Sequence, residues 1–158
     1  MPKRLEIDLI VEEDAWPSTF PDNLESLIQT ALEAAAIHLQ IRPSSLCVLL
    51  TSDSAMQALN RQWRDQDRVT NILSFAPAQA SEFLGDLALG HSIVANEAAA
   101  QGKPIAQHVQ HLLIHGFLHL LGHDHADEDM AAKMEAIERE IMAALGLPDP
   151  YALEHEGS

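Results

Sequence analysis

The run Val109-Gln-His-Leu-Leu-Ile-His-Gly-Phe-Leu-His-Leu-Leu-Gly-His-Asp-His125 decides how this chain is built. Apart from its histidines it is apolar almost all round (Val109, Leu112, Leu113, Ile114, Phe117, Leu118, Leu120, Leu121), which predicts a central, buried helix over roughly 105–121. His115 and His119 are four apart, so they project from one face, one turn from each other. Gly122 can adopt the left-handed conformation that stops a helix. The chain beyond it can fold back and bring His125 toward the first two imidazoles. Three neutral nitrogen ligands with a fourth position open is the arrangement of a catalytic zinc rather than a structural one. The sequence therefore predicts one Zn2+ held by His115, His119 and His125.

His108 and His111 continue the stripe upstream, and the four helical histidines fall within about 80° on a helical wheel. His111, one turn before His115, is placed to line the mouth of the site or to hold a partner of a ligand. The direction of His123, in the turn beside His125, is not fixed by spacing. His38, His91 and His155 stand without such company and receive no role.

The spacing H-x3-H-x2-G-x2-H is also that of the metzincin peptidases. In that family a glutamate follows the first histidine and takes the proton from the attacking water. Here that position is Gly116. Shared spacing argues for similar coordination, and the missing carboxylate argues against the same chemistry.

Composition narrows the class further. A chain of 158 residues is most simply one domain with a proper core. No apolar run approaches the roughly 20 residues of a membrane span, and the N-terminus has no apolar segment or cleavage site of a signal peptide. The single cysteine, Cys47, excludes an internal disulfide and fits a reducing compartment, so a cytoplasmic protein is expected, with Cys47 in an inert core position. The formal charge of −15 argues against a general nucleic-acid binder, because phosphate affinity rests on Lys and Arg. Yet Lys3, Arg4, Arg42, Arg61, Arg64 and Arg68 all lie in the first part of the chain, and the last three are clustered. A polyanion can meet that local basic patch while the acidic remainder repels it.

Along the chain, residues 5–12 alternate as a strand, and 21–40 carry the helical period through Leu24, Leu27, Ile28, Ala31, Leu32, Ala35 and Leu39. Residues 45–51 read as a buried strand. Ser52 or Asp53 can cap a helix over 54–63 with Met56, Leu59 and Trp63 inward. Short strands follow at 71–75 and 83–89, separated by a loop at 76–82 that is the best candidate for a mobile segment. Helices are predicted at 91–101, 105–121 and 127–145, the last with Met130, Met134, Ile137, Ile141 and Leu145 inward. Its acidic start, Asp127-Glu128-Asp129, reads as a cap on the helix dipole rather than a ligand set. The expectation is an α+β domain over 1–147: a small mixed β-sheet of about four strands packed with about five helices, the metal-binding helix central. A loose tail would occupy 148–158.

Two segments together resemble one family, the YbeY-type bacterial endoribonucleases or rRNA maturation factors. His115-Gly-Phe-Leu-His-Leu-Leu-Gly-His-Asp-His125 is similar to that family's H-G-x-L-H-L-x-G-[HY]-D-H signature at every fixed position. Leu59-Asn60, Arg64, Asp67 and Thr70-Asn-Ile-Leu-Ser-Phe75 resemble the segment around the family's invariant arginine. Leu84-Gly85-Asp86 and His111 also fall where the family has them. Val69 and Ala76 depart from it, standing where many members carry proline.

The resemblance implies a zinc-dependent, single-strand-specific endoribonuclease acting in rRNA maturation, at the 16S rRNA 3′ end, and in ribosome quality control. Single-stranded RNA or rRNA would be the substrate, and ribosomal proteins or the small subunit the partners, with no membrane association. Arg64 would be the catalytic arginine, its planar fork stabilising charge on the phosphate. Asp124 is a candidate to orient a ligand imidazole or accept a proton. Two other readings stand beside this one: a different zinc hydrolase of metzincin-like peptidase type, and a non-catalytic ribosome assembly factor whose metal braces the fold. Peptide and RNA cleavage assays separate the first; Arg64→Glu, folded and metal-loaded but inactive on RNA, separates the second.

Overall fold

Alternating side chains at the start of the chain form strand β1 (Leu5–Val11), followed by a one-turn helix α1 (Ala15–Thr19) and the amphipathic helix α2 (Leu24–His38). Strand β2 (Ser44–Thr51), helix α3 (Asp53–Arg64), and strands β3 (Ile72–Phe75) and β4 (Phe83–Gly90) complete the sheet region. Helices α4 (His91–Ala100), α5 (Ile105–Leu120) and α6 (Glu128–Ala144) finish the fold. This computed structural model describes residues 4–64, 70–124 and 126–151, the side chain of Arg64 excepted.

The sheet has the order β1-β2-β4-β3. β1, β2 and β4 run parallel, and β3 pairs with β4 in the opposite sense. Because successive residues of a strand face opposite sides, the register sorts the sheet into two faces. Val48, Leu87 and Ser74 lie side by side on the face toward α5, and Leu49, Ala88 and Leu73 on the other. On the first face Val48, Leu50, Leu87 and Leu89 join Ile28, Leu32, Leu113, Ile114 and Phe117 in the main core. On the second, among the described residues, α3 covers part of the sheet, through Met56 and Leu59 packed with Leu73, Ala88, Leu49 and Phe75. α5 touches α2, α4, α6, β3 and β4, and so is the central element that its apolar girth predicts.

Four local differences from the sequence reading have plain causes. The described residues hold six helices, the extra one being α1. It is too short to show a period, yet it delivers Trp16 into the core, where the indole Nε1 donates to the carbonyl of Thr51 at 3.0 Å. Trp63, expected inward, is 65% exposed and meets Phe75 edge-on, because α3 covers only part of its sheet face. Met130 is likewise exposed at the first turn of α6. For the same reason as Trp63, β2 alternates between buried and half-buried residues, and Cys47 is half-buried on that partly covered face rather than in the core. The 127–129 reading holds at its first residue: Asp127 Oδ1 accepts from the Met130 amide at 2.8 Å as an N-cap.

Candidate metal centre

α5 ends as its sequence predicts. Gly122 has φ +97°, its amide donates to the His119 carbonyl at 3.0 Å, and the His123 amide donates to the Leu118 carbonyl at 3.0 Å. This is the Schellman closure, which turns the chain back at the end of the rod. Just above the turn, His111, His115 and His119 line a cleft of about 690 Å³ with Asn60, Thr70, Asn71, Ser74, Asp124 and Tyr151. His108, although on the same stripe, turns elsewhere: it is buried, and its Nε2 lies 3.0 Å from Glu97 Oε1.

Nε2 of His115 and Nε2 of His119 stand 3.2 Å apart, aimed at each other across one turn. That is within hydrogen-bond range, and it is also close to the separation of about 3.3 Å required of two nitrogens sharing a tetrahedral zinc at about 2.0–2.1 Å. The donor set, two imidazoles converging on one point, fits that ion. Among the described residues no group of three His, Cys, Asp or Glu converges to hold a metal. His125, the third ligand expected from sequence, lies outside the described residues, as does the side chain of Arg64; the backbone of Arg64 closes α3.

Behind the ligand face lies a residue that the sequence reading did not single out. Glu138 of α6 has no exposed surface. Its Oε1 accepts from His115 Nδ1 at 2.8 Å and from His111 Nε2 at 3.1 Å, and its Oε2 accepts from the Tyr151 hydroxyl at 2.6 Å. Burial pushes the Glu138 carboxyl upward, but the hydrogen bonds from His111, His115 and Tyr151 outweigh it and bring the pKa down to about 2. Glu138 is therefore an ionised carboxylate at neutral pH. The available signal was positional, since Glu138 shares a helical face with Met134, Ile141 and Met142, all buried.

Gly116 points not into the cleft but at the sheet. A Cβ there would stand 2.7 Å from Ile72 Cδ1 and 2.9 Å from Leu87 Cδ2. The sheet fills the space that a metzincin-type glutamate at this position would need.

The family model for endoribonuclease YbeY matches residues 10–146. The chain belongs to the endoribonuclease YbeY family. It is 45% identical to endoribonuclease YbeY of Azorhizobium caulinodans over 97% of this chain and 100% of the relative. The Maricaulis maris endoribonuclease YbeY is 44% identical, covering 96% and 94%. That of Rhodopseudomonas palustris is 41% identical, covering 92% and 91%. The fold resembles the solution structure of TM1509 from Thermotoga maritima, with TM-score 0.59 and 26% identity over 89% of this chain and 91% of that one. Among the described residues no helix is long and apolar enough to cross a membrane.

Proposed function

We propose that this YbeY-family chain is a zinc-dependent, single-strand-specific endoribonuclease that processes rRNA in the cytoplasm, at the 3′ end of 16S rRNA, in contact with the small ribosomal subunit. The observation that carries the metal reading is the pair of Nε2 atoms 3.2 Å apart, one of whose rings is held from behind by a buried carboxylate. His115, His119 and His125 would hold the ion. When bound, zinc contributes Lewis acidity toward a phosphoryl oxygen and lowers the pKa of a water to about 7.

The chain's own groups supply the rest. Neutral imidazoles leave the cation's charge uncancelled at the cleft surface, which favours an anionic substrate such as a phosphodiester. Arg64, at the end of α3, pairs its planar donors with phosphate oxygens and stabilises charge that builds during cleavage. Asn71 and Ser74 stand on the cleft wall with Asp124, whose carboxylate is the group placed to orient a ligand imidazole or accept a proton. With a glycine at 116 the cleft has no peptidase-type base next to the first ligand, so hydrolysis rests on the ion and Arg64.

The test is cleavage of labelled single-stranded and duplex RNA by the purified chain, with chelator and with zinc restored. Cleavage of the single strand alone, abolished by chelator and recovered with zinc, is the expected result. Activity that persists after metal has been removed to below the protein concentration overturns it.

A further inference from the structure

We infer that Glu138 is a positioning residue for His115 and that Tyr151 holds it in place, so that the segment after α6 latches the metal centre from behind. The inference rests on the metal reading above and adds residues to it.

A fully buried carboxylate gives up its hydration, and as pure packing an apolar side chain of similar size serves as well or better. What a carboxylate provides that an apolar residue does not is direction. With three hydrogen bonds converging on its two oxygens, it accepts at both. Opposite Glu138 Oε1, His115 must therefore carry its proton on Nδ1, which leaves the lone pair on Nε2, the atom that faces His119. Fixing the tautomer and orientation of a ligand imidazole in this way tightens metal binding.

His111 takes a different part from His115. Its Nε2 is the atom engaged by Glu138, so it serves as a second donor that steadies the carboxylate. Tyr151 completes the arrangement at Oε2, with its ring edge-on to His111 at 5.4 Å. Of the tail expected over 148–158, the described residues 148–151 are tied at several points. Lys103 Nζ donates to the Pro150 carbonyl at 3.0 Å, the Tyr151 amide donates to Asp149 Oδ1 at 2.8 Å, and Arg139 reaches both Asp149 and the face of the Tyr151 ring.

The experiment compares wild type, Glu138→Gln and Tyr151→Phe by zinc competition against a chromophoric chelator. In parallel, long-range 1H–15N NMR of metal-stripped protein at mildly alkaline pH reads the His115 tautomer. Glutamine keeps the shape of Glu138 but can donate as well as accept, so it no longer dictates the proton's position. We expect zinc affinity about 10–100-fold weaker in Glu138→Gln, a smaller loss in Tyr151→Phe, and His115 moving from the Nδ1–H form to a mixture. Thermal unfolding of the metal-stripped proteins checks that each is folded, and Tyr151→Phe carries the test if Glu138→Gln is not. Folded variants with wild-type affinity and an unchanged His115 tautomer overturn the inference alone. A wild-type chain that binds no zinc overturns the metal reading, and the inference with it.

Discussion

The hydroxyl of Ser74 on β3 donates to the main-chain carbonyl of Gly116 on α5 at 3.2 Å, tying the sheet to the helix that carries the histidines. That bond is possible because nothing but hydrogen stands on the Gly116 Cα. A methyl there would meet Ile72 Cδ1 at 2.7 Å, Leu87 Cδ2 at 2.9 Å and Ser74 Oγ at 3.1 Å. Gly116→Ala gains about 1 kcal/mol of helix propensity but forces buried Leu87 and half-buried Ile72 and Ser74 to shift where helix meets sheet, a cost of about 1–3 kcal/mol. We predict a net loss of about 1 kcal/mol, read as a lowered urea midpoint at unchanged slope. Gly116→Glu should fare far worse, since the carboxylate would enter the core unpaired. A Gly116→Ala protein at least as stable as wild type would mean the helix is free to stand off the sheet.

His119 lies half-buried on the cleft wall, outside the main core. His119→Ala should therefore leave far-ultraviolet circular dichroism unchanged and, with both proteins stripped of metal, shift stability by less than about 1 kcal/mol. Metal content and RNA cleavage should both fall to background. His125→Ala should behave alike. Substoichiometric zinc in wild type together with undiminished cleavage by His119→Ala would remove the imidazole from the chemistry.

Under the proposed function, substitutions of Arg64 should separate binding of the ion from use of it. Removing a group that stabilises developing charge costs about 10²–10³-fold in kcat. Arg64→Ala should lose that much RNA cleavage while retaining zinc at wild-type stoichiometry, and Arg64→Glu should lose more through repulsion of phosphate. Cleavage within about threefold of wild type in Arg64→Ala would show that phosphate charge is met elsewhere.

Much of this site was legible because it is local. The i, i+4 pair of His115 and His119, the helix stop at Gly122 and the apolar girth of α5 all depend on residues adjacent in sequence or one turn apart. The alternation that forms the sheet is local too. What could not be read was contact between distant elements. Glu138 is charged, and a lone carboxylate on an amphipathic helix ordinarily faces water; its burial is stabilised by donors from α5 and from Tyr151, which sequence spacing does not connect. Trp63 failed the other way, since helical periodicity gives the side of α3 it occupies but not how far the sheet extends beneath it. The stripe of four histidines likewise divides according to neighbours: three face the cleft, and His108 faces Glu97 of α4.

That division gives His108 its own signature in acid. Its Nε2 is bonded to Glu97 Oε1 at 3.0 Å, and Glu97 in turn accepts from Asn71 Nδ2 at 3.0 Å and 3.3 Å, linking α5, α4 and the start of β3. The other ring nitrogen, Nδ1, is buried without a hydrogen-bond partner among the described residues. Burial lowers the His108 pKa from its ordinary 6.5; Glu97 pulls it upward without prevailing, and His111 and Lys103 add to the lowering. The unfolded chain therefore takes up this proton first as the pH falls. Its contribution to stability is present in full above pH 6.5 and is lost progressively as the pH drops through the lowered folded value. His108→Gln, whose amide can still donate to Glu97 but does not titrate, should be less steeply destabilised by acid than wild type. The difference in slope should approach, without exceeding, about 1.4 kcal/mol per pH unit just below the ordinary histidine range. Urea midpoints measured from about pH 8 to about pH 5 read it directly, and parallel curves for the two proteins would show that His108 takes up its proton as readily folded as unfolded.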